Sequence, residues 1–304
     1  MTSVSDARSA PAYSPTDEHD EWLPVRGLKL HIRRWDVGQA PSPAPFVLVH
    51  GLASNARTWD AVARRLQAAG HPVVSVDQRG HGWSDKPDTG YTFDEVTADL
   101  RELIGQLRFQ RPVVAGQSWG GGVVADFAAR YQDVPGMIVL VDGGFSEMAS
   151  RSGSTWERIS VDLKPPSFLG HPQSDLEDLL RKYHPDWTEE GIQSSLANFE
   201  VLPDGTIRPW LSLERHMQIL RALWEHHSSE LFPKITVPAL LCPAFNGEGE
   251  RVERKRESVD QASKAIPRAR VHGFEDTDHD IHIQRPEALT DLMLQALADG
   301  FYQA

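Results

Sequence analysis

The sequence predicts an α/β protein, with a mostly parallel β-sheet flanked by helices and interrupted by a helical insertion. Short apolar runs alternate with helical patterns from Pro45 onward. The alternation stops between about 145 and 233 and then resumes. Because parallel strands need long crossover connections, a strand–helix–strand rhythm of this kind is typical of a parallel sheet buried on both faces. The 304 residues are enough for one large domain or two modest ones.

Six short apolar runs are predicted as strands. They are Phe46–His50, Pro72–Asp77, Pro112–Gly116, Met137–Val141, Ala239–Leu241 and Ala269–Val271. Between them, apolar residues at helical spacing predict helices. One runs through Trp59 and Leu66 to Gly70. A second begins after Thr92, whose side chain forms a capping box with Glu95. Further helices are expected over Gly120–Tyr131, from about Arg251, and from Pro286.

The interruption divides the chain. Between Phe145 and Pro233 the sequence has helical patterns at Asp175–Tyr183 and Leu213–Trp224, and no convincing strand. We therefore expect a core formed by 21–144 and 234–304, and a helical cap over 145–233. Residues 1–20, rich in Ser, Ala, Pro and acidic side chains, are expected to form a loose tail.

Composition excludes several classes of function. Forty-three acidic against 31 basic residues give a net charge of −12, which disfavours binding to nucleic acid or to an anionic membrane surface. The sequence has no apolar stretch long enough for a membrane span and no signal-peptide pattern, so a cytoplasmic location is the expectation. The single cysteine, Cys242, excludes an internal disulfide and lies in an apolar run typical of the core. The oligomeric state is left open, with a homo-oligomer among the options.

Ser118 is the candidate nucleophile. It lies in Gly116-Gln117-Ser118-Trp119-Gly120, between a predicted strand and a predicted helix. A serine at such a bend needs a strained backbone, and glycines two residues to either side allow the strand and helix to approach. The helix N-terminus would favour the negative charge that develops during acyl transfer.

These motifs resemble those of the α/β-hydrolase superfamily from about residue 25 to the C-terminus. Besides the serine turn, four segments match in the family's order: His50-Gly51-Leu52, Asp77 through Asp85 (Asp-Gln-Arg-Gly-His-Gly-Trp-Ser-Asp), Val141-Asp142-Gly143, and Asp278 through His282 with the following Pro286-Glu287. The resemblance implies a serine nucleophile, a histidine base and an orienting acid, in the chain order Ser, acid, His. In that order the acid can stand either after the insertion or before it.

His279 is the candidate base. The resemblance implies a histidine seven residues before the Pro-Glu of the final helix, which selects His279 over His282 and over His272 at the last strand. His282 would then pack beside it or line the pocket. A metal site formed by Asp278, His279, Asp280 and His282 is disfavoured, because adjacent residues on an extended loop point their side chains apart.

Two positions compete for the acid. Most members of the superfamily place it after the strand that follows the cap, where this sequence has no aspartate but offers Glu248 or Glu250. Some place it at the end of the strand before the cap, where Asp142 stands ahead of two glycines. We favour Asp142 and keep Glu248 as the alternative. The resemblance also implies an oxyanion hole formed by the backbone N–H groups of Leu52 and Trp119.

Taken together, the sequence predicts a serine hydrolase that cleaves a carboxylic ester or lactone, with no cofactor and a small-molecule substrate as its partner. Aromatic residues in the expected cap (Trp156, Trp187, Phe199, Trp210 and Trp224) suggest a pocket for a bulky apolar or aromatic group, although packing in the core of the cap explains most of the tryptophans better. A C–C bond hydrolase or a cofactor-free perhydrolase or haloperoxidase would share these residues. A ligand receptor on the same fold is the alternative outside enzymes.

Overall fold

The computed structural model describes residues 17–38, 43–149 and 154–304. The strands are β1 (Asp20–Val25), β2 (Leu28–Trp35), β3 (Phe46–Val49), β4 (Val73–Val76), β5 (Val113–Gln117), β6 (Met137–Val141), β7 (Phe199–Val201), β8 (Ile207–Pro209), β9 (Ala239–Cys242), β10 (Ala244–Phe245), β11 (Ala269–Val271) and β12 (Phe274–Glu275). The α-helices are α1 (Asp60–Ala68), α2 (Phe93–Leu107), α3 (Trp119–Arg130), α4 (Trp156–Asp162), α5 (Gln173–Tyr183), α6 (Glu189–Leu196), α7 (Leu213–Glu225), α8 (Glu250–Ala265), α9 (Ile281–Gln284) and α10 (Pro286–Ala298).

Eight strands form the central sheet in the order β1-β2-β4-β3-β5-β6-β9-β11. The six strands from β4 to β11 run parallel, whereas β1 and β2 form an antiparallel hairpin at one edge and β2 pairs antiparallel with β4. All six strands predicted from the apolar runs are present, and the mostly parallel sheet is confirmed. Strands β3 to β6 and β9 are buried along their whole length, as expected of a sheet covered on both faces.

Helices cover both faces of this sheet. One apolar cluster joins α2, α3 and α8 to one face, and a second joins α1 and α10 to the other. The predicted cap of α2 is present, since the Thr92 hydroxyl accepts from the N–H of Glu95. Cys242 is fully buried in the second cluster, as its apolar surroundings predict. No helix within the described ranges is long and apolar enough to cross a membrane.

The segment between β6 and β9 contains helices α4 to α7, of which α5 and α7 match the predicted patterns. The expectation that it holds no strand is wrong, because β7 and β8 form an antiparallel hairpin in which Phe199 pairs with Pro209. Each strand has only three residues, too few for a recognisable alternation. The turn signal was present in the sequence: Gly205 has φ +81°, and Asp204 accepts from the N–H of Thr206.

Arg33 anchors the start of the described chain to the core. Its guanidinium is 2 % exposed and donates to both carboxylate oxygens of Asp60, at 2.9 Å each, and to Asp17 at 2.8 Å. It also pairs with Asp20, the first residue of β1. These contacts involve Asp17 and Asp20, in the last part of the expected loose tail over 1–20; the rest of that segment, 1–16, lies outside the described residues.

Replacing Arg33 by methionine would remove the ion-pair partner of Asp60, while Asp17 and Asp20 would keep Arg57. Removing one partner from a buried ion pair costs about 3–5 kcal/mol, so we expect Arg33→Met to lower the free energy of unfolding by about that amount in urea denaturation. The matched control is Arg34→Met, which removes a half-exposed side chain paired with Asp36. Its expected cost is within about 1 kcal/mol. Equal losses in the two variants would contradict the anchoring role of Arg33.

Candidate active site

Ser118 occupies a sharp turn between β5 and α3. Its φ of +56° and ψ of −121° lie in a region that residues other than glycine rarely adopt. The turn is tight because β5 and α3 nearly touch: a Cβ on Gly116 would come well under 3.0 Å from the carbonyl oxygen of Gly120. A Cβ on Gly120 would in turn lie 2.5 Å from the carbonyl oxygen of His50. The glycines therefore permit a strained backbone that presents Ser118 at the tip of the turn.

Asp142 lies beside this turn, directly after β6. The N–H of Ser118 donates to the carbonyl of Val141, and the N–H of Asp142 donates to that of Cys242, both at 2.9 Å. Gly143 packs so closely on the backbone of Ser118 that a Cβ there would overlap its carbonyl oxygen. Asp142 itself has φ +42°. The close approach of these two chain segments holds the carboxylate of Asp142 near the serine.

The carboxylate of Asp142 accepts hydrogen bonds from three separate segments. His279 Nδ1 lies 2.6 Å from Oδ2, and the N–H of Ala244 lies 2.9 Å from Oδ1. The ammonium group of Lys255 lies 2.9 Å from both oxygens. Because a carboxylate only accepts, His279 carries its proton on Nδ1 and leaves Nε2 free to act as a base.

The charges around this pair favour the ionised form of each partner, except that the charge of Lys255 disfavours protonation of His279. Burial opposes ionisation of Asp142, but the hydrogen bond and charge of His279, with the charge of Lys255, lower its pKa below the ordinary value. Partial desolvation of the His279 ring disfavours its protonated form. The hydrogen bond to Asp142 and the negative charges of Asp280 and Asp142 outweigh this effect and raise the pKa of His279. The imidazolium of His279 is thus stabilised where a general base must carry charge for a moment.

Gln117 ties the loop of His279 to the serine turn. Its side chain is buried and donates from Nε2 to the carbonyl of His279 at 3.2 Å and to Asp280 Oδ1 at 3.3 Å. Since Gln117 directly precedes Ser118, these bonds bring the backbone of His279 to the same end of the sheet as the serine. Sequence reasoning missed this residue, because the position between the first glycine and the serine is variable in the motif.

The backbone N–H groups of Leu52 and Trp119 are available as donors. Trp119 is the first residue of α3, so its N–H has no partner within the helix. Within the described ranges, the N–H of Leu52 donates to no backbone carbonyl. The preceding histidine shapes the loop of Leu52: His50 Nε2 accepts from the N–H of Gln78 at 3.0 Å, and Nδ1 donates to the carbonyl of Gly51 at 2.7 Å. Burial lowers the pKa of His50, which therefore stays neutral.

Asp77 and His81 support this loop rather than face the serine. Asp77 accepts from the N–H of Ala56 at 2.7 Å and from that of Trp83 at 2.9 Å, which joins the loops after β3 and β4. The ring of His81 accepts from the N–H of Ala53 at 3.2 Å. The motif from Asp77 to Asp85 thus organises the donors of the candidate site.

The alternative residues lie elsewhere. Glu248 is exposed, and within the described chain no hydrogen bond or ion pair joins it to His279. His282 is fully buried against Trp59, with ring centroids 4.6 Å apart, and burial lowers its pKa to about 3. His272 follows β11 and is exposed. Among the described residues, no three His, Cys, Asp or Glu side chains come together as metal ligands.

Lys255 is the second residue that sequence reasoning missed. It belongs to the charged face of α8, where the run of acidic and basic residues predicts an exposed surface. Its side chain is only 29 % exposed, because it turns inward to Asp142 and also donates to the carbonyl of Ala244 at 2.9 Å. No spacing in the sequence indicates this contact.

A cleft of about 330 Å³ lies between the core and the hairpin of β7 and β8. Both aromatic and charged side chains line it: Trp83, Phe199 and Trp210 with Arg57, Asp77 and Glu200. Ser118, Asp142 and His279 are not among its lining residues. Asn55, three residues after Leu52, also lines the cleft and binds the inserted segment, donating to the carbonyl of Ser194 at 2.8 Å. The inserted segment therefore packs directly on the loop that carries Leu52.

Comparisons with known proteins agree with this architecture. A model of the alpha/beta hydrolase family matches residues 46–292. A putative non-heme haloperoxidase from Mycobacterium phage D29 is 33% identical over 269 residues, covering 88% of this chain and 92% of that protein. A 2-(acetamidomethylene)succinate hydrolase from Mesorhizobium japonicum is 26% identical, covering 84% of this chain and 91% of that protein.

Solved structures show the same fold. The crystal structure of E-2-(acetamidomethylene)succinate hydrolase superposes with a TM-score of 0.75 at 22% identity, covering 92% of this chain and 98% of the other. An enol-lactonase from Burkholderia xenovorans superposes with a TM-score of 0.69 at 23% identity, covering 91% of this chain and 100% of the other. With a family model matching most of its length, the chain belongs to the alpha/beta hydrolase family and is a hydrolase by that membership.

Proposed function

We propose that the protein is a serine hydrolase that cleaves a carboxylic ester or lactone through an acyl-enzyme, with Ser118, His279 and Asp142 as its catalytic triad. The observation that carries the proposal is the 2.6 Å contact between Asp142 and His279 Nδ1, beside a serine in a strained turn. A serine at this position is the nucleophile that acyl transfer needs, and a histidine oriented by a carboxylate is its base.

In the first half of the reaction, Ser118 Oγ attacks the substrate carbonyl and its proton passes to His279 Nε2. Asp142 stabilises the resulting imidazolium through Nδ1. The carbonyl oxygen becomes an oxyanion that accepts from the N–H groups of Leu52 and Trp119, both available as donors. When the tetrahedral intermediate collapses, the C–O bond of the ester breaks and His279 returns its proton to the leaving alkoxide.

In the second half, water replaces the alcohol. His279 Nε2 takes a proton from the water, whose oxygen attacks the acyl carbon and forms a second oxyanion. Collapse breaks the bond to Ser118 Oγ, which recovers the proton from His279, and the free acid leaves. Apart from the substrate and water, every step uses groups of this chain.

The substrate we propose is a small molecule with a bulky apolar or aromatic group. The cleft between the core and the β7–β8 hairpin, lined by Trp83, Phe199 and Trp210, offers aromatic surface next to the loop of Leu52. In this proposal the inserted segment acts as a cap over the site. Ligand pockets combine apolar and aromatic walls with a few polar groups, and in this cleft the charged side chains of Arg57, Asp77 and Glu200 stand beside the aromatic ones.

Perhydrolase activity is the second candidate. It is favoured by relatives named haloperoxidase or chloroperoxidase, including the phage protein and a non-heme chloroperoxidase from Streptomyces lividans that is 24% identical. In that reaction hydrogen peroxide replaces water in attacking the acyl-enzyme. Bromide oxidation in acetate and peroxide, at a rate above that of ester hydrolysis, would favour it.

Ser118→Ala tests the nucleophile. With p-nitrophenyl esters and aromatic lactones as substrates, we expect hydrolysis to fall by roughly 10⁴-fold or more, because the covalent step is lost. Circular dichroism checks that the variant is folded. Substantial hydrolysis by folded Ser118→Ala, or carbon–carbon cleavage with no ester hydrolysis by the wild type, would refute the proposal.

Asp142→Asn tests the acid, with Glu248→Gln as its matched control. Asparagine keeps the shape of Asp142 but offers no charge to the imidazolium, so kcat should fall by roughly 10³- to 10⁴-fold. Glu248 is exposed and away from His279, and its amide variant should keep kcat within about twofold. The reverse pattern would assign the acid to Glu248.

The pH dependence of kcat/KM tests the base. His279 acts only when it is unprotonated, so activity should rise with pH as the ring loses its proton. Because Asp142 and Asp280 raise its pKa, the midpoint of the acid limb should lie above the ordinary value of 6.5. In the Asp142→Asn variant, the pH midpoint of the remaining activity should be lower than in wild type. A wild-type midpoint below 6.5 would be inconsistent with the observed geometry.

A further inference from the structure

Lys255 binds the carboxylate of Asp142 together with the imidazole of His279, and both groups contact Oδ2. Its Nζ lies 2.9 Å from each carboxylate oxygen and 2.9 Å from the carbonyl of Ala244, so all three of its donors are used. By contrast, Lys264 on the same helix is 74 % exposed and pairs with the neighbouring turn at Asp260. The ordering of a long side chain across the loop between β9 and α8 costs conformational entropy, which three hydrogen bonds offset.

A carboxylate that orients a histidine base also stabilises the protonated imidazole. If this stabilisation is too strong, the imidazole keeps its proton. Asp142 is 2 % exposed and His279 is 53 % exposed, so the carboxylate is shielded from water while solvent partly screens its charge at the ring. A base that stays protonated at the working pH is inactive, and catalysis is greatest when the base is matched to that pH. A cation bound to the carboxylate reduces the field that the carboxylate exerts on the imidazole.

We propose that Lys255 is a positioning residue of the active site, which fixes the Asp142 carboxylate and limits how strongly that carboxylate retains the proton of His279. The proposal deepens the proposed function and rests on it for the role of His279. Within the described chain Lys255 forms no hydrogen bond with the serine or the imidazole. It contacts Asp142, and its positive charge also disfavours protonation of His279 through space.

Other charged and titratable groups also surround His279. Its own loop contributes Asp278 and Asp280, and α9 contributes His282. The inserted segment contributes His184, whose Nδ1 lies 3.8 Å from Asp278, and the loop after β3 contributes His50. Asp278 is further bound by the amide of Asn246. Among the described residues, Lys255 is the cation that contacts Asp142 besides His279 itself.

The test follows the ring of His279 directly by NMR. Protein labelled with ¹³C-histidine is titrated in a Ser118→Ala background, and the His279 signal is assigned by its loss in His279→Gln. We expect Lys255→Met to move the His279 midpoint to higher pH by roughly half a unit to one unit, since the full charge of Asp142 then acts on the ring. Lys264→Met, which removes the same charge from the same helix, should leave the midpoint unchanged.

Kinetics supply the second readout. In the Lys255→Met enzyme with Ser118 intact, the ratio of kcat/KM at pH 6 to kcat/KM at pH 8.5 should be roughly three- to tenfold lower than in wild type, with KM at pH 8.5 within about twofold of wild type. Lys255→Arg keeps the charge and should restore most of the loss at pH 6. If Lys255→Met does not fold, Lys255→Gln carries the same comparison.

An unchanged His279 midpoint in folded Lys255→Met would overturn the proposal, as would a uniform loss of kcat at every pH. Because the NMR titration needs no turnover, it separates the two proposals. A wild type without esterase activity whose His279 midpoint still responds to Lys255 would defeat the proposed function and leave the link through Asp142 in place.

Discussion

The site depends on one buried carboxylate at the end of β6. Asp142 has almost no contact with solvent, and an ionised group in that position is tolerated only when its oxygens accept hydrogen bonds. The donors come from the loop before α9, the start of β10 and the middle of α8. The carboxylate of Asp142 thus binds three segments that are each more than 100 residues away from it in sequence. Its hydrogen bond to Nδ1 fixes the position of the His279 ring.

The same region is held by close backbone contacts. Gly143 packs on the carbonyl of Ser118, and Gly116 packs on that of Gly120, at distances that no side chain would allow. These contacts place the serine turn, the end of β6 and the loop after β3 within reach of one another, so the strained backbone of Ser118 is supported from several sides. The sheet supplies rigidity, and the loops at the carboxyl ends of its strands carry the chemistry.

Part of this arrangement could be predicted from the sequence. The six predicted strands were visible as short apolar runs, and the turn at Ser118 as glycines around a serine between strand and helix. The hairpin of β7 and β8 was missed because three-residue strands carry no periodic signal. The choice between Asp142 and Glu248 depended on which carboxylate the fold brings to His279. Lys255 could not be singled out among the charged residues of α8, because only the packing of this helix shows that the lysine turns inward.

The most direct test of the account is covalent labelling of the serine. Wild type and Ser118→Ala are treated with a fluorophosphonate and digested, and the modified peptide is identified by mass spectrometry. The account predicts a single adduct on Ser118, formed faster as the pH rises through the range in which His279 loses its proton, and no adduct in the variant. A wild type that stays unmodified, or an adduct on another residue, would contradict it.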